Sequence, residues 1–251
     1  MVSSAQPSPI TIREIEELAI GVVAKNLNPA MLTVDFLKFS GIVPNEWELN
    51  AQPVLSPNYS QVNFQNGISV VAQPRSITFV EVIGDPTNHN IRLPSIVSAY
   101  VDKLSLAEYQ TLNLAPKSII PLPGNEDVAR KYITNTLLSP GPWQDFGQGL
   151  VQAGINLTYQ LDNCQLNIGI NEAKLQLPDR LPIPALLFAG SFNYELEENT
   201  SVSVVEQLKA NLHNLTPNLQ IFRQLVKERF LAQKASVIPT LMPPTGPKEG
   251  L

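Results

Sequence analysis

The strongest constraint on the fold is the dipeptide Asn66-Gly67, which lies between two segments of alternating apolar and polar residues, 62–64 and 68–72. Asn-Gly supplies the positive φ angles that a tight turn between two strands requires. Alternation with a period of two is typical of a strand that buries one face. The segment therefore predicts a β-hairpin, and residues 77–83 extend it to an antiparallel meander.

A second hairpin is predicted around Asp162-Asn163, where alternating segments again flank two turn residues. The phenylalanines and tyrosine that follow at every second or fourth position also indicate a strand with one buried face. The strands predicted in this part of the chain cover residues 157–161, 164–170, 173–177 and 185–196.

Helical periodicity and capping residues predict the helices. Thr11 and Glu14 have the spacing of a capping box, and the apolar residues after them recur at helical period, so a first helix is predicted up to Asn28-Pro29. Residues 32–36 alternate and predict a strand. Further helices are predicted from Pro94, from a capping box at Ser105 and Glu108, over residues 125–138, from a capping box at Ser203 and Glu206, and from Thr216-Pro217.

The pattern predicts an α+β fold in which antiparallel β-meanders pack against helices, and the order helix, strands, helix occurs twice. We divide the chain into a flexible arm (1–9), a first α+β half (10–124), a second α+β half (125–235) and a disordered tail rich in Pro and Gly (236–251). The two halves are expected to form one compact unit. The repetition is either a true duplication or a coincidence of common patterns.

The layout resembles a family of uncharacterised bacterial proteins with two α+β halves. The shared features are the hairpin strand at 67–71, the strand at 77–83 with its following helix, and the strand entered through 183–185 before two final helices. The Arg- and Asn-rich central strand expected of that family is missing around 117–122. The family has no established activity, so the resemblance implies a fold and no chemistry.

Composition excludes several classes of protein. Charged residues make up 16% of the chain, against about 25% in an average soluble domain, and the net charge of −5 opposes a broad nucleic-acid surface. Cys164 is the single cysteine, which excludes an intrachain disulfide and a zinc site of paired cysteines. The N-terminal residues lack the pattern of a signal peptide and no apolar run reaches about 18 residues, so we expect a cytoplasmic protein away from membranes.

No motif for catalysis or cofactor binding stands out. The chain has neither G-x-G-x-x-G nor G-x-S-x-G, and Cys164, His89 and His213 are interpreted as core or surface residues. The acidic clusters at 14–17 and 195–198 are interpreted as compensating helix dipoles. We therefore expect no cofactor, no metal and a function without catalysis. The alternative is a hydrolase whose carboxylates come from distant segments, for which the candidate residues are Glu46, Glu48, Asp85 and His89.

Binding or assembly is the function that the sequence favours. The charge deficit falls on the strands, whose face away from the core is polar but uncharged, and interfaces are depleted of Lys, Glu and Asp. A second subunit or another protein is the expected partner, and no small-molecule ligand can be inferred. Candidate interface anchors are the aromatic residues in loop-like segments, namely Trp47, Tyr59, Trp143 and Phe146. A nucleic-acid accessory role is a second alternative, supported by Arg223, Lys227, Arg229 and Lys234.

Overall fold

Nine antiparallel strands form one continuous sheet in the computed structural model, which describes residues 14–84, 90–150, 152–177, 181–198 and 200–232. The order across the sheet is β2-β3-β4-β5-β1-β6-β9-β8-β7. The predicted α+β class with an antiparallel sheet is thus confirmed. The strands are β1 (Ile15–Ala24), β2 (Val54–Leu55), β3 (Ser60–Asn63), β4 (Ile68–Gln73), β5 (Ser76–Gly84), β6 (Tyr109–Pro121), β7 (Gly154–Gln160), β8 (Gln165–Leu175) and β9 (Ile183–Glu195).

Five α-helices connect and cover these strands. Two of them, α3 and α5, continue as π-helical turns at Ile133–Leu137 and Leu225–Leu231. Short 3-10 turns occur at Pro29–Met31 and Pro142–Asp145. The α-helices are α1 (Val34–Phe39), α2 (Leu93–Lys103), α3 (Val128–Tyr132), α4 (Val204–His213) and α5 (Leu215–Gln224).

The order of the elements repeats on the two sides of the central pair β1–β6. On each side a long strand leads through a helix to a meander and then to another helix, β1-α1-β2-β3-β4-β5-α2 and β6-α3-β7-β8-β9-α4, and the first meander has the two-residue strand β2 in addition to three longer strands. Each meander adds outward from its own long strand, so the sheet order is mirrored about β1–β6. The repeating unit therefore begins with a strand, whereas the sequence indicated a helix. The boundary predicted at 124 falls after β6.

The first predicted helix is wrong, because residues 15–24 form the central strand β1. β1 pairs with β5 on one side and β6 on the other. Its consecutive residues Leu18, Ala19 and Ile20 are all buried. The positions of β1 that face away from the helices carry Ala19, Gly21 and Val23, so the strand lacks the apolar and polar alternation that marks a half-buried strand. Thr11, the arm 1–9 and the tail 236–251 lie outside the described residues.

Three further sequence predictions are wrong. Residues 34–39 form helix α1 in place of a strand, and the Thr33 hydroxyl caps it by accepting the N–H of Phe36 at 3.0 Å. No helix follows Ser105, since strand β6 begins at Tyr109. Residues 173–175 continue β8 and do not form a strand of their own. β6 ends at Pro121 and so covers most of the segment 117–122, where the Arg- and Asn-rich central strand of the resembled family was not found.

The turn and cap signals are confirmed where they are strongest. β3 and β4 form the first hairpin, in which Gly67 has a φ of +82°, and β7 and β8 form the second. In the predicted capping box at the start of α4, the Ser203 hydroxyl accepts the N–H of Glu206 at 3.2 Å. The Glu206 carboxylate in turn accepts the N–H of Ser203 at 3.0 Å.

The described helices pack on one face of the sheet. From α2 the ring of Tyr100 meets Phe79 of β5 edge-on, with centroids 5.3 Å apart. At the other end Phe230 lies against Phe188 of β9, with centroids 5.8 Å apart. Both contacts belong to one continuous hydrophobic core between the helices and the sheet. The fold therefore has two layers, and the second face of the sheet carries no described helix.

Buried carboxylates on the core side of the sheet anchor the helices to it. Glu16 of β1 is fully buried and makes a bidentate contact with Arg223 of α5. Glu81 of β5 accepts the Nε–H of Arg92 at 2.8 Å. It also accepts the backbone N–H of Leu93, the first residue of α2, at 3.3 Å. Glu172 of β8 likewise binds the Arg130 guanidinium at 3.1 Å. Buried charges require such paired and hydrogen-bonded partners.

The acidic cluster at 14–17 thus has a different role from the one predicted. A strand sends successive side chains to opposite faces, so Glu16 faces the core and Glu17 faces away from it. Glu14 accepts a hydrogen bond from Ser118 and lies 3.5 Å from the Lys227 ammonium. These carboxylates bind cations and hydroxyls of other elements and compensate no helix dipole.

Replacing Ser203 by alanine tests the cap of α4. The Tm is expected to fall by about 2–4 °C, because the N–H of Glu206 loses its acceptor, the Ser203 hydroxyl. Hydrogen bonds from Ser203 hold the pKa of Glu206 below its usual value, so their contribution is present above the usual pKa and is lost as the pH falls through the lowered one. Thermal unfolding at several pH values should therefore show a smaller difference between the two proteins at acidic pH, because protonation of Glu206 removes the hydrogen bond from the Ser203 hydroxyl to its carboxylate while the cap bond itself does not titrate. Equal differences at pH 7 and pH 3 would contradict this assignment.

Candidate binding face of the sheet

The face of the sheet that points away from the helices is the candidate site, and we call it the open face. Strand alternation and the pairing registers define its members, and most of their side chains are half-buried between neighbouring strands. It consists of Gln61, Asn63, Ser69, Val71, Thr78, Val80, Val82, Glu17, Ala19, Gly21, Val23, Thr111, Asn113, Ala115, Lys117, Ile119, Leu187, Ala189, Ser191, Asn193, Glu195, Asn167, Gly169, Asn171, Asn156, Thr158 and Gln160.

Charge is nearly absent from the open face. Its charged side chains are Glu17, Lys117 and Glu195 among the described residues. Glu17 and Lys117 are cross-strand partners on β1 and β6, and their side chains form an ion pair of 2.8 Å at the middle of the sheet. The remaining members carry amides, hydroxyls or apolar groups, and the apolar ones include the branched side chains of Val82, Ile119 and Leu187. The face is therefore close to neutral in a chain whose net charge is −5.

Hydrogen bonds between neighbouring strands hold the amides of the second half in place. The Asn113 amide donates to Ser191 Oγ and to Asn193 Oδ1, both at 2.7 Å. Further out, the Thr158 hydroxyl donates to Asn167 Oδ1 at 2.7 Å. Side chains that are already ordered lose less conformational entropy when a partner binds.

The first half carries a similar but smaller network. The Gln61 amide donates to Asn63 Oδ1 at 2.9 Å, and the Ser69 hydroxyl donates to the same oxygen at 2.7 Å. Between the two networks the small residues Ala19 and Ala115 lie opposite each other on the central strands. The central strands of the open face thus carry two small side chains here, and ordered uncharged amides lie on both sides of them.

The four predicted interface aromatics occupy two separate places. Trp47 packs edge-on against Phe64 with centroids 5.3 Å apart, and it is half-buried like Tyr59 beside β3. Trp143 and Phe146 follow α3, toward the other end of the sheet, and Phe146 is 86% exposed. The Tyr59 hydroxyl donates a hydrogen bond of 2.5 Å to Gln61 Oε1 of the open face, but the structure does not gather all four aromatics there, and their role as interface anchors stays a prediction.

The carboxylates named for hydrolysis do not form a described site. Glu46 and Glu48 lie in an exposed or partly exposed loop before β2, while Asp85 and His89 fall outside the described residues. Within the described ranges no three His, Cys, Asp or Glu side chains cluster as metal ligands. The hydrolase alternative stays a prediction, since the described residues include only Glu46 and Glu48 of its four candidates.

The remaining thiol and histidine fit structural roles. Cys164 is buried at the start of β8 and borders a cleft of about 340 Å³ between the second hairpin and α5. In that cleft Asn218 donates a hydrogen bond to the Tyr194 hydroxyl, and burial raises the pKa of Tyr194 to about 12. The phenol therefore stays protonated at neutral pH. His213 is exposed at the end of α4, as the sequence indicated.

The basic residues of the last helix are largely neutralised. Arg223 is occupied by the buried carboxylate of Glu16, and Lys227 lies 3.5 Å from Glu14. Arg229 is exposed, and Lys234 falls outside the described residues. Since a nucleic-acid surface needs several free cations on one side, this helix gives that alternative little support.

Comparison of the chain with protein-family models, with curated proteins and with solved structures finds no match. The resemblance to a bacterial two-half family therefore stays a prediction. In the part of the chain that the structure describes, every helix is too short or too polar to cross a membrane.

Sequence reasoning identified the uncharged character of the open face but not its residues. Asn113, Ala115 and Lys117 belong to β6, which was not predicted, and Glu17 and Ala19 belong to the strand predicted as a helix. The available signal was that two long apolar segments contain glycine, alanine or asparagine at alternate positions. That pattern is weaker than the turn chemistry of the hairpins.

Proposed function

We propose that this chain is a binding or assembly protein without catalytic activity, and that its open face packs against the open face of a second copy. The observation that carries the proposal is a broad and almost uncharged face in an acidic chain. We also place the protein in the cytoplasm, because its one cysteine is a buried thiol that needs no oxidising compartment.

The size of the open face suits a stable dimer. Nine strands about 4.8 Å apart span about 40 Å, and strands of this length extend about 30 Å, which gives an area of about 1,200 Å². A standard interface buries about 800 Å² on each partner. Packing of two sheets about 10 Å apart would therefore need only part of this face.

The chemistry of the open face suits a second copy. An amide carries both donors and acceptors, so the networks around Asn113 and Asn63 can pair with their own counterparts. Two copies with net charge −5 repel each other through most surfaces, but least through a face that holds one ion pair and one further carboxylate. Glu17 and Lys117 at the centre also allow each copy to meet an opposite charge.

Replacing Ala115 by lysine tests this proposal. The new ammonium would be desolvated at the centre of the interface, and self-association is expected to weaken about 100-fold. Light scattering over a range of concentrations should show half the mass of the wild type at micromolar concentration. Circular dichroism should stay unchanged, because the side chain points away from the core.

The matched control is Gln220→Lys, which adds the same charge at an exposed position of α5 on the helix layer. Its mass is expected to equal that of the wild type. A monomeric wild type, or equal masses for the wild type and the Ala115 variant, would refute a second copy as the occupant of the open face.

A further inference from the structure

Strand β7 forms an exposed edge of the sheet. It pairs with β8 on one side only, and every second residue from Gly154 to Gln160 is exposed. The second hairpin closes with a bond from the Leu161 N–H to the Cys164 carbonyl at 3.0 Å. Because bonded pairs recur at every second residue from there, the backbone N–H and C=O groups of 154, 156, 158 and 160 point outward from the sheet.

The two edges of the sheet differ in protection. At the opposite edge β2 has only two residues, Val54–Leu55, and Pro53 and Pro57 flank it closely. Short strands and prolines are devices that prevent a sheet edge from pairing with another chain. The seven residues of β7 include no proline and no charged residue. The edge at β7 therefore lacks the protection that the same molecule has at β2.

The side chains of β7 also favour pairing. Ile155, Leu157 and Tyr159 are half-buried on the helix side of the sheet and pack against the core there. Asn156 and Thr158 alternate with them on the open face. An added strand would cover the exposed parts of the three apolar side chains and would satisfy the outward backbone groups.

We propose that β7 pairs antiparallel with β7 of a second copy, about a twofold axis at Leu157. In this register Leu157 meets its own counterpart, Ile155 meets Tyr159, and Asn156 meets Thr158. The outward groups of the two strands then form about eight hydrogen bonds. The copy is the occupant that fits, because the strand is complementary to itself and uncharged in a chain that otherwise repels its copies.

This contact does not rest on the proposed function, since it uses the edge of the sheet and not its open face. It joins two sheets side by side and doubles the width of the open face. Together the two contacts give each chain one partner across the open face and another across β7, and they close into a tetramer when the two twofold axes cross at right angles.

Disulfide trapping tests the register. In a full-length chain with Cys164→Ala, the variant Leu157→Cys brings two thiols together at a pair with Cα atoms about 4.5 Å apart, close enough for a disulfide. Oxidised glutathione should convert most of it to a covalent dimer, visible on a non-reducing gel. The matched control is Leu55→Cys at the protected edge, which should stay monomeric on the same gel. Failure of the Leu157 variant to cross-link would overturn the proposed register.

Blocking the edge tests the contact itself. Thr158→Pro and Asn156→Pro each remove an outward N–H and add no charge to the open face, and Thr158→Pro also loses the hydrogen bond from the Thr158 hydroxyl to Asn167 Oδ1. In both variants the mass measured by light scattering should be half that of the wild type. Each variant chain should still unfold cooperatively, which shows that its fold is intact. If both retain the mass of the wild type, the contact is refuted. Loss of mass in the Ala115 variant alone would then leave the open-face proposal standing by itself.

Discussion

Replacing Arg223 by methionine is expected to lower the free energy of unfolding by about 3–5 kcal/mol. The change leaves the carboxylate of Glu16 fully buried without its cation, and breaking a buried pair from one side costs about this much. Urea unfolding at one fixed protein concentration measures the loss, since the fixed concentration separates it from any change in self-association.

The double variant Glu16→Leu with Arg223→Met removes both charges and should recover most of the loss, because no isolated charge stays in the core. The matched control is Lys131→Met, which breaks the exposed pair with Asp127 on α3 and should change stability by less than about 0.5 kcal/mol. A single Arg223 variant no less stable than this control would show that the buried pair does not hold α5 to the sheet.

Truncating Phe222 to alanine is expected to cost about 3–5 kcal/mol. Its ring is fully buried and lies so close to Gly190 of β9 that an added Cβ there would come within 2.8 Å of it. The cavity cannot be filled by the sheet, because the backbone at Gly190 is fixed by strands on both sides. Urea unfolding again provides the measurement.

The neighbouring residue supplies the control for Phe222. Ile221 is 40% exposed on the same turn of α5, and Ile221→Ala should cost less than about 1 kcal/mol. If the two variants have the same stability, the contact between Phe222 and Gly190 does not determine how closely α5 packs on the sheet.

Local chemistry explains which elements the sequence could reveal. The turns at Asn66-Gly67 and Asp162-Asn163, and the cap at Ser203, depend on residues that adopt one local geometry in almost any context. The hairpins and α4 were therefore predicted correctly. Their pairing partners were not, because register depends on which long strand lies beside them in the sheet.

The central strands escaped prediction for a physical reason. Leu18 and Ile20 of β1 face the core, and the small residue Ala19 between them faces the open side, so the helical spacing of the apolar residues around them was a coincidence. β6 contains Pro116 and Lys117, which are unusual in strands. Its neutral open side became visible only when the pairing with β1 placed Lys117 beside Glu17.

The pair of Glu16 and Arg223 also has a consequence for how the chain reaches its native state during synthesis. The two residues are 207 positions apart, so β1 is synthesised long before the arginine that neutralises its carboxylate. Until the ribosome has made α5, burial of β1 in a finished sheet would leave the Glu16 carboxylate buried without a cation. The native core therefore closes only after α5 has been synthesised, because the contact that stabilises the buried carboxylate does not exist before then.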